Sequence, residues 1–322
     1  MKKTKILAAV LAAALVLPSL QSCKKGAEDP GISLRSRKAR VVGDWTVQSF
    51  DMTSTSTTNY EDPDTQNEGD LVKEESTSSI SWDGSTYSES STSTSTYDNG
   101  DYNKNETTIS GTSYTEKSEI KNSGTVTTNT TTGTATVSFS QTFSFKKDGT
   151  FEMKKSFSKS IETTETETGY DKKTTHTETE DKTKTGTWAF LGKNKADEMK
   201  NKQRIAIWYQ TESGSTVNET NYDYTDTDNS LPPNWDDFDS NDKTTKTPTN
   251  HTYDTSEPDE VWELVMLKNK EMKVVRVMNS TEQGTQTSES TSNNGGSTTT
   301  TTTTTKYDET SSTTTNMTLT QE

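Results

Sequence analysis

The sequence predicts an all-β protein, an antiparallel up-and-down barrel of about 8–10 strands with long polar hairpin extensions. Hydrophobic residues make up only 25% of the chain, against about 45–50% in ordinary globular domains on a slightly wider count. Most of the chain therefore lies outside any core. The residue in excess is threonine, which is β-branched and favours strands. Bulky apolar residues also recur at every second position, as in strands that bury one face.

The segment from Val41 to Met52 predicts the opening strand of this barrel. Trp45 and Val47 are two residues apart, so a pleated segment turns both side chains to the interior. Met317 and Leu319 alternate in the same way near the other end of the sequence. We expect them to close the sheet against the strand of Trp45.

The clearest hairpin spans 135–161, with alternating apolar residues on both sides of Lys147-Asp148-Gly149. A three-residue loop with a left-handed Gly149 sets four apolar pairs opposite each other. These pairs are Phe145 with Phe151, Phe143 with Met153, Phe139 with Phe157, and Ala135 with Ile161. A two-residue Asp-Gly loop would place Phe145 against Glu152 and scramble the faces, so we prefer the longer loop.

The next hairpin is predicted to turn between Tyr170 and Asp171, which sets Phe151 opposite Phe190 and Met153 opposite Trp188. Its outer half is Thr, Glu and Lys on both faces, so we expect it to project beyond the barrel. A later hairpin with Asn269-Lys270 as its loop places Val265 against Val274 and Glu263 against Arg276. Since both of its faces are apolar, we expect it to be the most buried part of the sheet.

Three polar segments are less informative. Residues 53–105 predict an acidic loop and one or two long polar strands. A second acidic insertion spans 223–258. The threonine run at 298–305 is compatible with a strand or with a loose spacer, and the sequence does not choose between them.

The N-terminus resembles a bacterial lipoprotein signal peptide over residues 1–22. Lys2, Lys3 and Lys5 precede an apolar stretch from Ile6 to Leu17 that is shorter than the ~20 residues a membrane-spanning helix needs. Leu20-Gln21-Ser22-Cys23 then resembles a lipobox. The resemblance implies cleavage before Cys23 and acylation of that residue, which anchors the protein stably when several chains are attached. The alternative is an ordinary secretory peptide with a chance cysteine.

The position after Cys23 is Lys24 rather than the Asp typical of inner-membrane retention. By resemblance this predicts an outer-membrane lipoprotein, on either the cell surface or the periplasmic face. Residues 23–40 contain Gly26, Pro30 and Gly31 and predict a flexible tether. Residues 41–322 then form the barrel domain with its Thr/Ser-rich insertions.

Several short motifs together resemble one family. They are Gly43-x-Trp45, Phe143-x-Phe145 running on to Asp148-Gly149-Thr150-Phe151, Gly186-x-Trp188, and Trp262-Glu263-Leu264 followed by Leu267 to Met272. This ordered set is similar to the lipocalin-like lipoproteins of the Bacteroidetes, over roughly half of the mature chain. The resemblance implies a calycin-type antiparallel barrel and does not identify a ligand.

Charge and composition exclude several classes of function. Lys+Arg 34 and Asp+Glu 49 give 34 − 49 = −15, which disfavours binding to nucleic acid or to anionic lipid surfaces. A single cysteine excludes a disulfide framework and a Cys-rich zinc site. His176 and His251 lie in polar stretches without a nearby catalytic partner, and no Gly-rich phosphate loop is present. We therefore predict no enzyme activity, no cofactor and no metal.

Clustered carboxylates raise one alternative, a calcium site. Asp226-x-Asp228-x-Ser230 begins like a calcium loop but has Leu231 where the sharp turn needs glycine. Solvated acidic loops are the preferred explanation for this cluster, and likewise for Glu61-Asp62-Asp64 and Asp236-Asp237-Asp239.

The barrel interior is the remaining candidate site. The apolar residues predicted to face inward and to contact a ligand are Trp45, Phe143, Phe145, Phe151, Met153, Trp188, Phe190, Ile205, Ile207, Trp262 and Leu264. A barrel of about eight strands is wide enough either to be filled by side chains or to hold one small ligand. The sequence leaves two functions open. One is a binding module for a small apolar or amphiphilic molecule, and the other is a cell-surface interaction protein whose Thr-rich hairpins make the contacts.

Overall fold

The structure is a computed structural model that describes residues 36–61, 71–167, 170–192, 203–226, 245–253, 256–268, 270–294 and 297–321. These residues form a short helix, α1 (Arg37–Val41), and thirteen strands. The strands are β1 (Gly43–Glu61), β2 (Leu71–Trp82), β3 (Tyr87–Tyr97), β4 (Tyr102–Ser110), β5 (Ser113–Asn122), β6 (Thr125–Phe145), β7 (Thr150–Glu167), β8 (Tyr170–Phe190), β9 (Arg204–Asp226), β10 (Thr245–Thr252), β11 (Glu260–Leu267), β12 (Glu271–Asn294) and β13 (Ser297–Gln321).

Twelve of the described strands form a closed antiparallel up-and-down barrel. Neighbouring strands follow chain order from β1 to β9, continue through β11, β12 and β13, and return to β1. Closure satisfies the backbone groups that an open sheet would expose at its edges. β10 lies outside the ring, paired with the outer part of β9. The predicted fold class is confirmed.

The barrel has two tiers because β1 and β6 also pair directly. Gly43 to Thr46 pair with Phe145 to Thr142 at one end of the barrel, which we call the base. At the base the ring therefore contains eight strands: β1, β6, β7, β8, β9, β11, β12 and β13. Farther along, β1 and β6 diverge and β2 to β5 are inserted between them. The predicted 8–10 strands compare with eight at the base and twelve above it. Within 53–105, where one or two polar strands were predicted, lie β2, β3 and the first residues of β4.

The β6–β7 hairpin has the predicted register. Phe145 pairs with Phe151, Phe143 with Met153, Phe139 with Phe157, and Ala135 with Ile161. Gly149 has φ +95°, the positive value that the three-residue loop requires. The rings of Phe145 and Phe151 lie on the same side, with centroids 5.2 Å apart.

The predicted register of β7 and β8 is wrong by four residues. Phe151 pairs with Gly186 rather than Phe190, and Met153 pairs with Lys184 rather than Trp188. The reason is that pairing continues outward to Glu167 and Tyr170, beyond the apolar residues on which the prediction relied. An even shift preserves the faces. The polar half of β8 also pairs with β9, so it forms barrel wall and does not project alone.

The predicted register of β11 and β12 is wrong because of a β-bulge between Leu264 and Met266. Next to the loop the predicted pairing holds, with Leu267 opposite Met272. Beyond the bulge Leu264 pairs with Val274, and Trp262 with Arg276. The extra residue keeps the apolar side chains of both strands on the inner face. Without the bulge, the apolar side chains of the two strands would lie on opposite faces.

The burial prediction for this hairpin holds only near the base. Met266, Leu267 and Met272 are fully buried, whereas Val277 and Met278 are 54% and 47% exposed. Met317 and Leu319 pair with Phe50 and Val47, so the predicted closure by the last strand is confirmed. The backbone of the threonine run belongs to β13.

The helix α1 begins the folded domain before the predicted boundary at residue 41. The side chain of Ser36 accepts a hydrogen bond from Ala39 N at 3.1 Å and caps the helix. The indole Nε1 of Trp45 donates to Val41 O at 2.7 Å, and Arg40 donates to Leu267 O. Residues 37–40, predicted to belong to the tether, therefore pack on the base of the barrel. The predicted signal peptide, Cys23 and most of the tether lie outside the described residues.

Candidate ligand cavity

The base of the barrel is filled by a packed apolar cluster, which we call the floor. Its buried members are Val41, Trp45, Val47, Phe145, Phe151, Trp188, Ile205, Ile207, Leu264, Leu267, Met272, Val274 and Leu319. Aromatic rings meet edge to face within it, as Phe145 does with Trp188 at a centroid distance of 5.3 Å. Such contacts add to the stabilisation from apolar burial. The floor is therefore a packed core.

Above the floor, where the ring widens, lies a cavity of about 440 Å³. This volume falls within the range of about 300–1,000 Å³ that is typical of small-molecule sites. Its apolar lining consists of Phe50, Met52, Ile80, Phe139, Phe143, Met153, Phe157, Trp262 and Met317. The rings of Phe50 and Phe139 meet at 4.9 Å across the point where β1 and β6 diverge.

The rest of the lining is largely charged. Its charged members are Glu89, Lys155, Lys159, Glu178, Glu180, Lys182, Lys184, Glu260 and Arg276, and its neutral ones are Tyr87, Gln141, Tyr209 and Thr315. β8 contributes four charged side chains and no apolar one, whereas β1 and β2 contribute apolar side chains only. The cavity is therefore amphipathic, with chemically different regions on different strands.

The lysines of the cavity are held by carboxylates on the same strand or on neighbouring strands. Lys182 Nζ lies 2.8 Å from Glu180 and 3.1 Å from Glu212, and Lys155 also contacts Glu180. Lys184 Nζ lies 3.2 Å from Glu212. Alternating charges across three adjacent strands fix the orientation of these long side chains, as cross-strand pairs of opposite charge do.

Glu212 is the most buried acid of this network, with 8% of its area exposed. Burial raises the pKa of its carboxyl, but hydrogen bonds from Tyr253, Lys182 and Lys184 outweigh burial and lower the pKa to about 2. Glu212 is therefore ionised throughout the physiological pH range. Its negative charge keeps the adjoining lysines in place.

A second polar centre lies beside Trp262. The carboxylate of Glu260 accepts hydrogen bonds from Tyr209 Oη at 2.8 Å, Trp262 Nε1 at 2.7 Å and Arg276 at 2.7 Å. Burial and the negative charge of Glu260 raise the pKa of Tyr209, which stays a neutral donor. Glu260 thus orients three side chains at the boundary between the floor and the cavity.

The eleven predicted ligand-contacting residues separate into two groups. Phe143, Met153 and Trp262 line the cavity. Seven others, Trp45, Phe145, Phe151, Trp188, Ile205, Ile207 and Leu264, are buried in the floor, and Phe190 is partly buried against it. That these residues contact a ligand stays a prediction, but their positions favour a structural role for the larger group.

The charged half of the lining was not predicted from the sequence. One signal was available, because Lys155 and Lys159 alternate with Met153 and Phe157 and so share the inner face of β7. The carboxylates and lysines of β8 carry no such signal by themselves. Their position follows from the register with β7 and β9.

The other candidate sites are unremarkable where they are described. His176 and His251 are exposed, and His176 Nδ1 lies 3.0 Å from the hydroxyl of Thr220. In the part of the chain that the structure describes, no three His, Cys, Asp or Glu residues are placed to hold a metal ion. Asp62, Asp64, Asp228 and the cluster Asp236-Asp237-Asp239 lie outside the described residues.

Comparison with known proteins adds no family assignment, since the chain matches no family model and no curated protein. Among the described residues, no helix is long and apolar enough to cross a membrane.

Proposed function

We propose that this protein is a non-catalytic, lipocalin-like outer-membrane lipoprotein whose barrel binds one small amphiphilic molecule. The observation that carries the proposal is the cavity above the floor, which combines an apolar lining with an ordered set of charged groups. Apolar pockets with a few placed polar groups are the usual form of a small-molecule site. The apolar part of the ligand lies against Phe50, Phe139 and Phe143, and its polar part faces the charged strands.

The test is native mass spectrometry of the soluble domain purified from the producing cell, with a matched pair of variants. Met52→Trp places a large ring in the cavity, whereas Thr53→Trp places the same ring on the exposed outer face of the same strand. We expect a small molecule to co-purify with the unmodified domain and with Thr53→Trp, and to be lost from Met52→Trp. A domain that carries no small molecule, and that binds no added amphiphile, contradicts the proposal.

The membrane anchor is proposed from the lipobox resemblance of Leu20 to Cys23. Acylation at Cys23 places the barrel at the membrane surface, tethered through the residues that precede α1. Cys23→Ser should abolish incorporation of a labelled fatty acid and release the protein from the membrane fraction. Ser22→Ala is the control, since alanine is also small and should preserve processing. Labelling that persists in Cys23→Ser contradicts the anchor.

A second function is favoured by the outer part of β12 and β13. The pairing of β1 with β13 ends at Glu61 and Lys306. Beyond that point β12 and β13 pair only with each other, as a two-stranded ribbon that continues to Asn294 and Ser297. At about 3.4 Å per residue the ribbon extends roughly 30 Å past the end of β1. Such an extension suits a protein that contacts other molecules at the cell surface. Deleting residues 286–304 should abolish the contacts with other molecules at the cell surface while leaving the cavity intact.

A further inference from the structure

One row of inward-facing residues crosses five strands at the boundary between the floor and the polar rim. Trp262, Arg276, Thr315, Met52 and Ile80 are consecutive cross-strand partners, and all five line the cavity. The positions on the base side of this row are apolar. On the rim side the hydroxyls of Ser54 and Thr313 bond each other at 3.0 Å.

Two polar side chains in this row each have a buried atom without a hydrogen-bond partner among the described residues. Arg276 donates from one terminal nitrogen to Glu260, but within the described residues its buried Nε has no hydrogen-bond partner. The hydroxyl of Thr315 also has no partner there, although Thr315 is only 7% exposed. Buried polar groups without partners are costly and uncommon. Two of them on adjacent strands of a cavity indicate a place where a ligand supplies the missing acceptor.

We propose, resting on the function proposed above, that Arg276 and Thr315 receive the carboxylate of a single-chain amphiphile. Both groups donate hydrogen bonds, so the ligand must present acceptor oxygens. A guanidinium binds a carboxylate through charge-assisted hydrogen bonds that are stronger than neutral ones.

With Glu212, which contacts Lys182 and Lys184, the charges around the cavity balance, so an anionic head group meets no excess of negative charge there. The lining holds five cations, Lys155, Lys159, Lys182, Lys184 and Arg276, and four carboxylates, Glu89, Glu178, Glu180 and Glu260. The whole chain, by contrast, has a net charge of −15. The lysines already contact carboxylates. Arg276 is thus the cation of the lining whose buried donor, Nε, has no partner among the described residues.

Size and shape restrict the rest of the ligand. A cavity of about 440 Å³ is near the small end of the usual range for ligand sites, which favours one alkyl chain over two. With its carboxylate at Arg276 and Thr315, that chain runs along Met52, Phe50 and Phe139. The ligand class is therefore a medium-length monocarboxylic acid.

The experiment compares decanoate with decanol by isothermal titration calorimetry, because the two probes share a chain and differ in the head group. We expect the unmodified domain to bind decanoate about tenfold more tightly than decanol. Thr315→Val removes the hydroxyl at nearly constant shape and should weaken decanoate binding severalfold without changing the affinity for decanol. Arg276→Gln should remove the preference for decanoate. Thr313→Val is the control, since it removes the next hydroxyl on the same strand and should leave both affinities unchanged.

The outcomes separate this subsite from the broader proposal. Equal binding of both probes, or unchanged decanoate binding in Thr315→Val, overturns the subsite while the cavity remains a binding site. If neither probe binds the unmodified domain and no small molecule co-purifies, the proposed function fails and the subsite fails with it. If Arg276→Gln does not fold, the comparison of Thr315→Val with Thr313→Val decides the question alone.

Discussion

The base and the upper tier of this barrel are built from the same strands but differ in what fills them. At the base, Trp45, Phe145 and Leu264 are fully buried in one apolar cluster inside an eight-stranded ring. In the upper tier four more strands widen the ring, and the inward positions of β8 change to Lys and Glu. A wider ring needs more side-chain volume to fill it. The comparison shows that period-two patterning sets the inner face, whereas side-chain volume and strand number decide between core and cavity.

The insertion of β2 to β5 brings its own small core. Tyr87, Ile109, Tyr114 and Ala135 form a second buried cluster. The ring of Tyr87, on β3, lies 6.1 Å from that of Phe157, on β7 beyond the insertion. This cluster stabilises the polar strands where they join the barrel. Farther out, near the β5–β6 turn, apolar residues such as Ile120 and Val126 are exposed.

The largest effect that tests this contrast is expected in the floor. Trp45→Ala removes a fully buried indole and its hydrogen bond to Val41 O. Replacing a large buried aromatic by alanine typically lowers the free energy of unfolding by about 3–5 kcal/mol. Urea denaturation of the barrel domain measures the change. A loss below about 1 kcal/mol would show that the floor is not the main core.

A smaller effect is expected where β8 approaches β9. A Cβ added at Gly186 would lie 2.0 Å from the backbone oxygen of Trp208, so Gly186→Ala must move one of the two strands. We expect it to lower the free energy of unfolding by about 1–3 kcal/mol, as overpacking does. Gly192→Ala is the matched control, because a Cβ there meets no atom within 4 Å. Equal stability of the two variants would contradict the close approach.

The charged network of the upper tier predicts a specific pH dependence. The pKa of Glu212 is lowered from 4.5 to about 2, although burial acts in the opposite direction. Because the folded state binds fewer protons here than the unfolded state, this carboxylate contributes its full stabilisation above about pH 4.5 and loses it as the pH falls toward 2.

Glu212→Gln should therefore flatten the fall in the free energy of unfolding between about pH 5 and pH 2. It should also lower that free energy at pH 7 by on the order of 1 kcal/mol, because a charge-assisted contact is lost. Urea denaturation at several pH values measures both effects. The exposed Glu61→Gln serves as control and should retain the unmodified pH profile. A Glu212→Gln profile that parallels that of the unmodified domain would rule out this role.

The smallest effect is expected at the outer turn of the insertion. Val126 is 52% exposed, so Val126→Ala removes little buried area and should change the free energy of unfolding by no more than about 0.5 kcal/mol. A loss comparable with that of Trp45→Ala would mean that the outer strands pack against something else in solution. In that case the contrast between base and upper tier would not hold.

Much of the fold could be predicted from local patterns, and the failures have identifiable causes. The Phe145–Phe151 hairpin was placed correctly because its loop type and its apolar pairs agree on one register. The β7–β8 register was wrong because Thr, Glu and Lys on both faces leave the position of a distant turn undefined. The β11–β12 register was wrong because a bulge at Val265 has no signal of its own in the sequence. The bulge can be inferred only from the requirement that Trp262 and Val274 lie on the same face of the sheet.

The candidate site was predicted less completely than the fold. The alternation of bulky residues identified the apolar interior, including Phe143, Met153 and Trp262 at the cavity. It did not separate them from Trp45 and Phe145, because alternation carries no information on height within the barrel.

The sequence by itself determined the all-β class, the inward face of the apolar segments of β1, β6 and β7, and the closure of β13 against β1, because these follow from period-two burial between neighbouring strands. Tertiary structure alone decided that β1 and β6 pair at the base and diverge above it. It also decided that the lysines and carboxylates of β8 face inward, and that Arg276 lies beside Thr315. These juxtapositions depend on how strands distant in sequence are aligned around a closed ring, which no local pattern encodes.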